Sequence, residues 1–178
     1  MILSGSNWRE NAAAPSEWVV RCAPLIRGGG RVLDVACGTG RHTRFLIQAG
    51  FQVEAVDRDA SALALLPAVV TRQADLEGEP WPYSVGEFDG IVVTNYLHRP
   101  LFLHLFEALA AGGVLIYETF SDGNQLLGRP RNPDYLLKSG ELLEQVKGRL
   151  EVNAYEELCV IQNNRAVVQR ICAVKAAR

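Results

Sequence analysis

The 178-residue sequence has no long apolar run, no excess of charge of either sign and no closely spaced cysteines. No stretch approaches the roughly 18 consecutive apolar residues that a membrane-spanning helix needs. The 18 basic and 20 acidic residues leave a net charge of −2 and are scattered along the chain. The sequence therefore carries neither a phosphate-binding patch nor a polybasic membrane anchor, which argues against nucleic acid or a membrane as the main partner.

Targeting and redox signals are equally sparse. The N-terminal stretch MILSGSNWRENAAAPSEW lacks the basic and apolar regions of a signal peptide, so we expect a soluble, cytoplasmic protein. Cys22, Cys37, Cys159 and Cys172 form no CxxC pair, which favours buried free thiols over disulfides or a metal site. The length, the 48% hydrophobic content and the absence of a repeat or linker predict one domain over residues 1–178.

Apolar runs rich in β-branched residues alternate with segments of helical periodicity, the pattern of an α/β protein with a parallel sheet. The predicted strands are RVLDVA, FQVEAVD, AVVTRQAD, FDGIVVTN and VLIYETF. The predicted helices are SEWVVRCAPLI with Ser16 as N-cap, TGRHTRFLIQAG closed by Gly50, ASALALL ended by Pro67, LFLHLFEALAAGG, and YLLKSGELLEQVKG with Ser139 as a candidate N-cap. Asn163 and Asn164 tolerate positive φ, so they predict the turn of a C-terminal antiparallel hairpin.

The segment VLDVACGTG contains most of the first predicted strand, with an acid inside it, and continues into two glycines. This combination raises the question of whether a ligand binds after the strand. In open α/β sheets, ligands bind beyond the carboxyl ends of the strands. Gly38 and Gly40 can adopt positive φ and let a ligand approach the backbone, and the next helix presents free N–H groups. A glycine pair is also typical of a simple turn, so this feature alone does not decide.

Two further carboxylates follow the next two strands. Asp57 comes 17 residues after Gly40, a position that suits hydrogen bonds from a ribose diol. It could instead cap the following helix, although Asp59 and Ser61 are better placed for that role. Asp75 ends the third strand and could accept a hydrogen bond from an adenine amine, or be a solvated loop acid. Together with Asp34, these carboxylates favour a nucleoside-containing cofactor.

The segments VLDVACGTGRHTRFLIQAGFQVEAVDRD, QADLE, FDGIVVTNYL and AAGGVLIYETF, in this order, resemble the class I S-adenosylmethionine-dependent methyltransferases. The resemblance covers about residues 16–176 and is nearest to the small bacterial UbiE/MenG-like or tellurite-resistance-like type. It implies a three-layer Rossmann-like fold with a seven-stranded, mostly parallel sheet of order 3-2-1-4-5-7-6, strand 7 antiparallel. It also implies S-adenosyl-L-methionine as the cofactor.

The resemblance assigns roles to individual residues. Asp34 would orient the methionine amino group directly or through water, and Asp57 would hold the ribose hydroxyls. The full implied set of cofactor-binding residues is Asp34, Ala36, Gly38, Gly40, Asp57, Arg58, Asp75, Leu76, Asn95 and Tyr96. Ala36 departs from the family pattern, in which a glycine stands at this position. A nicotinamide-binding Rossmann motif is disfavoured because its last glycine or alanine falls on Thr43.

Methyl transfer from a sulfonium is an in-line displacement, so positioning is the main requirement and a base is needed only for a protonated nucleophile. His98 and Tyr96 are the candidate catalytic residues, with a structural role as the alternative for His98. The candidate substrate residues are Arg99, Glu118, Arg129, Arg131 and Tyr135. Arg129 and Arg131 could clamp a carboxylate or phosphate, or simply face solvent.

We therefore expect methyl transfer to a small-molecule acceptor that the sequence does not identify. The alternative is a regulatory module that binds the cofactor without turnover. Nucleic-acid methylation is disfavoured because NYLHRP lacks the Pro-Pro-aromatic continuation after its asparagine. No metal is expected, and the sequence does not distinguish a monomer from a homodimer.

Overall fold

In the part of the chain that the structure describes, seven strands form one sheet in the order β3-β2-β1-β4-β5-β7-β6. The computed structural model describes residues 14–162 and 164–177, so the predicted turn residue Asn163 lies outside the described residues. The strands are β1 (Arg31–Val35), β2 (Gln52–Asp57), β3 (Val70–Gln73), β4 (Phe88–Thr94), β5 (Leu109–Phe120), β6 (Glu151–Gln162) and β7 (Asn164–Val174). The first five pair in parallel, whereas β7 is antiparallel to both β5 and β6. The predicted fold class and strand order are confirmed.

Within the described residues, five α-helices accompany the sheet: α1 (Glu17–Cys22), α2 (Arg41–Gln48), α3 (Ala60–Leu63), α4 (Leu101–Ala108) and α5 (Glu141–Val146). Several begin and end where the sequence predicts. The Ser16 side chain accepts a hydrogen bond from Trp18 N and caps α1, and Asp59 caps α3 through Ser61 N and Ala62 N. Gly50 follows α2 with a φ of 91°, the left-handed conformation that ends many helices.

Several predicted helices are longer than the observed ones: SEWVVRCAPLI is α-helical only to Cys22, and ASALALL only to Leu63. The segment LFLHLFEALAAGG is helical only to Ala108, because Lys175 Nζ contacts the Phe106, Glu107 and Leu109 carbonyls at 2.9, 3.2 and 2.7 Å. A lysine there satisfies the unpaired carbonyls of a helix end, and the chain continues directly into β5.

The last helix was also predicted with the wrong start and the wrong cap. Residues 135–140 are not α-helical, and Gly140 rather than Ser139 occupies the N-cap position of α5. The Ser139 hydroxyl instead donates to Glu157 Oε2 at 3.2 Å. Its partner lies on β6, so the competing contact is visible only in the folded protein.

Apolar clusters cover both faces of the sheet. In β1, Val32 packs with α1 and α2, whereas Leu33 and Val35 pack in the cluster that contains α4 and α5. Successive side chains of a strand point to opposite faces, so helices on both sides explain the nearly continuous apolar strands. Cys22, Cys37 and Cys172 are buried free thiols, as predicted, but Cys159 is exposed.

Residues 74–87 connect β3 to β4 without a helix, as their prolines and glycines predict. The Trp81 ring stacks on His104 of α4 with centroids 5.8 Å apart, and Tyr83 packs edge-on against Trp81 and Phe88. These aromatic contacts attach the connection to the apolar core, so Trp81 and Tyr83 anchor the loop. Across residues 14–162 and 164–177, no helix combines the length and apolar character needed to cross a membrane.

Through its side chain, Gln169 of β7 is hydrogen-bonded to the backbone at the start of α5. Its side chain is fully buried, its Oε1 accepts a hydrogen bond from Leu142 N at 3.2 Å, and its Nε2 donates to Lys138 O at 2.6 Å. It thus satisfies a buried helix-terminal N–H group and a half-buried loop carbonyl.

Replacing Gln169 with methionine should lower the free energy of unfolding by about 2–3 kcal/mol, because a buried backbone N–H and a half-buried carbonyl lose their partners. Urea denaturation of both proteins measures this difference. Gln52→Met is the matched control: Gln52 Nε2 donates to Gly29 O at 3.2 Å in an exposed position, so its loss should cost about 0.5 kcal/mol or less. Equal losses in the two variants would contradict the role assigned to Gln169.

Candidate functional site

A cavity of about 300 Å³ opens beyond the carboxyl ends of β1, β2 and β3, beside the chain that follows β4. β1 lies between β2 and β4, where the strand order reverses. Ligands bind at this point in open α/β sheets. The residues lining this first cavity are Ala36, Asp57, Arg58, Ala74, Asp75, Leu76, Glu77, Tyr96 and Tyr135.

The two glycines after β1 have different functions. Gly38 has a φ of 53°, and a Cβ added there would meet no atom of the described residues within 4 Å. Gly40 has a φ of 79°, but a Cβ there would lie 2.5 Å from Leu66 Cδ2. A Cβ at position 38 would therefore lie in open space, whereas Gly40 permits close packing against the segment after α3. Among the described residues, neither glycine lines one of the two cavities, so their contact with the cofactor remains a prediction.

Ala36 occupies the position where the family pattern has glycine, and its φ is 51°. Glycine adopts this left-handed conformation without strain, whereas a residue with a Cβ loses roughly 1–2 kcal/mol. The glycine of the pattern is thus explained by backbone conformation, which alanine can still adopt at this cost.

The Asp57 carboxylate joins the loops that follow β1 and β2. Its Oδ2 accepts a hydrogen bond from Gly38 N at 2.8 Å, and its Oδ1 accepts one from Asp59 N at 2.9 Å. Each carboxylate oxygen can accept a second hydrogen bond, so Asp57 can also bind a diol in the first cavity. Asp59 is the cap of α3, which leaves Asp57 free for that contact.

Asp34 lies beneath the glycine loop with only 1% of its surface exposed. Thr43 Oγ1, in the first turn of α2, donates to its Oδ2 at 2.5 Å. Burial raises the pKa of Asp34 to about 6, and the Thr43 hydrogen bonds offset part of this effect. Asp34 does not line the first cavity among the described residues, so direct contact with an amino group remains a prediction.

A second cavity of about 430 Å³ lies on the other side of the chain after β4. Asn95 lines it, whereas the next residue, Tyr96, lines the first cavity, so the two cavities are neighbours. Asn95 has a φ of 54°, a conformation that asparagine tolerates well. The second cavity is lined by Ala14, Pro15, Ser16, Glu17, Arg41, Asn95, Glu118, Phe120, Val160, Ala166 and Val168.

Glu118 forms the polar wall of the second cavity. Its Oε1 accepts a hydrogen bond from Ser16 Oγ at 2.7 Å, and its Oε2 lies 3.4 Å from Arg170 Nη1. Arg170 also pairs with Glu156, which pairs with Arg21 at 2.7 Å. The other lining residues from β5, β6 and β7 are apolar: Phe120, Val160, Ala166 and Val168. The cavity therefore suits a small molecule with both polar and apolar groups.

His42 anchors the N-terminal edge of this cavity. Its Nε2 accepts a hydrogen bond from Ser16 N at 3.1 Å, so its Nδ1 carries the proton and donates to Thr94 Oγ1 at 3.1 Å. Burial lowers the pKa of His42 to about 3, which keeps the ring neutral. His42, Ser16, Arg41 and Arg170 were not predicted as site residues. Ser16 and Glu118 are 102 positions apart, so no local pattern indicates their contact.

Some predicted site residues lie outside both cavities. Within the part of the chain that the structure describes, His98, Arg99, Arg129 and Arg131 line neither one. Arg99 binds Glu141 instead, and Arg129 and Arg131 are exposed on the loop after β5. Glu118 and Tyr135 do line cavities, but different ones. The predicted substrate residues therefore do not form one site.

A seven-stranded sheet of this order, with a cavity beyond β1, β2 and β3 lined by Ala36 and by the carboxylates Asp57, Asp75 and Glu77, is the architecture of class I S-adenosylmethionine-dependent methyltransferases. The sequence model of the family described as "Methyltransferase domain" matches residues 7–164. The chain belongs to this family. The predicted class is confirmed, and the cofactor of such enzymes is S-adenosylmethionine.

Individual proteins agree with this assignment. The chain is 30% identical over 159 residues to glycine/sarcosine N-methyltransferase of Parasynechococcus marenigrum (strain WH8102), covering 81% of this chain and 52% of that one. It thus spans about half the length of this curated relative. TehB from Haemophilus influenzae superposes with a TM-score of 0.78 at 22% identity, covering 93% of this chain and 64% of TehB. A methyltransferase structure from Methanosarcina mazei superposes at 0.73 and 15% identity, covering 93% of this chain and 100% of its own.

The stability of the protein should depend on pH through Asp34. Its carboxyl has a pKa of about 6 when folded and about 3.8 when unfolded, so the folded state binds more protons between these values. This group's contribution to the free energy of unfolding must fall as pH rises from 4 to 7. Asp34→Asn lacks this dependence, so its stability relative to the wild type should increase by up to about 3 kcal/mol over that range.

Urea denaturation at a series of pH values measures the difference. Thr43→Val is the companion variant, because losing the hydroxyl that donates to Asp34 raises the carboxyl pKa further and should shift the pH dependence upward. A constant difference between Asp34→Asn and the wild type from pH 4 to 7 would contradict the assignment.

Proposed function

We propose that this protein transfers the methyl group of S-adenosylmethionine to a small-molecule acceptor bound in the second cavity. The observation that carries the proposal is the pair of neighbouring cavities separated by Asn95 and Tyr96. The first suits an adenosyl group and the second suits an acceptor, so a reacting atom could meet the methyl carbon between them. Such side-by-side binding supplies the alignment that an in-line displacement needs.

The first cavity fits the cofactor by its donor set and its shape. Asp57 would accept hydrogen bonds from the ribose hydroxyls while it holds Gly38 N. The open space above Gly38 would admit the part of the cofactor that follows the ribose. Asp75 and Leu76 would meet the adenine amine edge, with Arg58 and Tyr96 beside the ring. The contact of Asp34 with the methionine amino group would be indirect, because Asp34 is buried.

S-adenosylmethionine, when bound, supplies a methyl group on a positively charged sulfur. If the acceptor arrives protonated, Glu118 is the group that would accept its proton. Its carboxylate lines the second cavity in a position fixed by Ser16 and Arg170. Burial, reinforced by Glu77, raises the pKa of the Tyr96 phenol. The phenol therefore stays protonated and is not available to accept a proton. His98 is outside both cavities, so catalysis is assigned to Glu118 in its place.

Asp57→Ala should weaken binding of S-adenosylhomocysteine by at least about tenfold, because the ribose loses its acceptor and Gly38 N loses its partner. Isothermal titration calorimetry measures the affinity. Asp59→Ala is the matched control: Asp59 is an exposed aspartate two residues away that caps α3, so its variant should lose some stability and keep the affinity. Unchanged affinity in Asp57→Ala, or no binding by the wild type, would overturn the proposed site.

Turnover separates transfer from binding alone. Formation of S-adenosylhomocysteine should be followed over a panel of small amines, carboxylic acids, thiols and phenols. With an acceptor that is protonated in solution, Glu118→Gln should lower kcat by about a hundredfold while affinity for S-adenosylhomocysteine stays unchanged. Binding without turnover of any acceptor would instead favour a regulatory module, and a normal kcat in Glu118→Gln would exclude Glu118 as the base.

A further inference from the structure

Arg99 follows β4 by five residues and binds four oxygen atoms on the segment that precedes and begins α5. Its Nε and Nη2 donate to the two carboxylate oxygens of Glu141 at 2.6 and 2.9 Å. Its Nη1 and Nη2 also donate to Asp134 O at 2.8 Å and Leu136 O at 2.9 Å. The guanidinium group is planar and always charged, so this set of contacts has one preferred geometry.

The two backbone carbonyls belong to the residues on either side of Tyr135. Leu136 and Leu137 are buried, whereas half of the Tyr135 surface is exposed and its side chain lines the first cavity. Arg99 therefore holds the backbone before and after Tyr135 and leaves the ring of Tyr135 available to a ligand.

Further hydrogen bonds attach the same segment to the rest of the fold. Glu141 Oε2 also accepts a hydrogen bond from Lys138 N at 2.8 Å, and Leu137 N donates to Phe120 O at 3.0 Å. Burial alone would raise the pKa of Glu141, but the hydrogen bonds from Arg99 and Lys138 outweigh burial and lower it. Glu141 thus stays ionised, and the segment from Asp134 to Glu141 is attached at several points.

We propose that Arg99 is a positioning residue that places Tyr135 against the nucleoside end of the first cavity, with Tyr135 as an adenosine-contacting residue contributed by the chain after β5. The inference rests on the proposed function, because it assumes that an adenine nucleoside occupies this cavity. An aromatic ring held in place before binding contributes contact area at little entropic cost. The loop after β5 thereby closes the cofactor cavity, and Arg99 acts on the ligand only through Tyr135.

Calorimetric affinities for S-adenosylhomocysteine and 5′-methylthioadenosine test this proposal, since the second ligand keeps the nucleoside and lacks the amino-acid end. Tyr135→Ala should bind both ligands about tenfold more weakly, and Tyr135→Phe should bind like the wild type. Arg99→Lys keeps the charge but cannot make the forked contacts, so it should weaken both ligands. The double variant Arg99→Lys/Tyr135→Ala should bind no more weakly than Tyr135→Ala alone.

Arg27→Lys is the matched control, because Arg27 pairs with Asp89 at 3.0 Å at the opposite edge of the sheet and should not affect either affinity. If the wild type binds and Tyr135→Ala binds equally well, the inference is wrong and the proposed function stands. Additive losses in the double variant would also overturn it, because Arg99 would then act independently of Tyr135. Failure of the wild type to bind either ligand would overturn the proposed function and this inference with it.

Discussion

The hydrogen bond from Gly38 N to the Asp57 carboxylate is the interaction on which the first cavity depends. It joins the loop after β1 to the end of β2, two strands that lie side by side at the point where the strand order reverses. The second oxygen of Asp57 accepts a hydrogen bond from Asp59 N, so the same carboxylate also holds the residue that caps α3. One side chain thereby holds both loops in place, and its remaining hydrogen-bonding capacity is open to the first cavity.

The second cavity has a different physical basis, a chain of charges and hydrogen bonds between distant parts of the sequence. Ser16, Glu118, Arg170, Glu156 and Arg21 are connected in this order. The two acids and two bases balance each other, and Arg170 and Glu118 are mostly buried, so each needs its partner to offset the loss of hydration. This network attaches the start of α1 to β5 and to the C-terminal hairpin, which creates the cavity between them.

Local patterns predicted the parts of the structure that local physics controls. Ser16, Asp59 and Gly50 cap or end their helices as expected because each acts on its own backbone within a few residues. The α5 start and the α4 end were misjudged because Gln169 and Lys175, both from the C-terminal hairpin region, supply the decisive hydrogen bonds. The ion pair between Arg99 and Glu141 joins residues 42 positions apart, so no local pattern indicates it. Without that contact, the sequence suggested Arg99 only as a substrate contact.

The sequence by itself determined the order of strands and helices, the glycine loop and the carboxylates at the ends of β2 and β3. These features follow from hydrophobic periodicity and from the requirement that parallel strands end at one edge of the sheet. Tertiary structure alone decided which polar side chains reach a cavity and which serve the fold. Asp34 and Arg99 make protein contacts and line neither cavity, whereas Asp57 and Glu118 line open space in addition to their protein contacts, and Tyr135 lines the first cavity with half of its surface exposed. That difference depends on long-range contacts, because a polar group is available to a ligand only when folding leaves part of its hydrogen-bonding capacity or its surface uncovered.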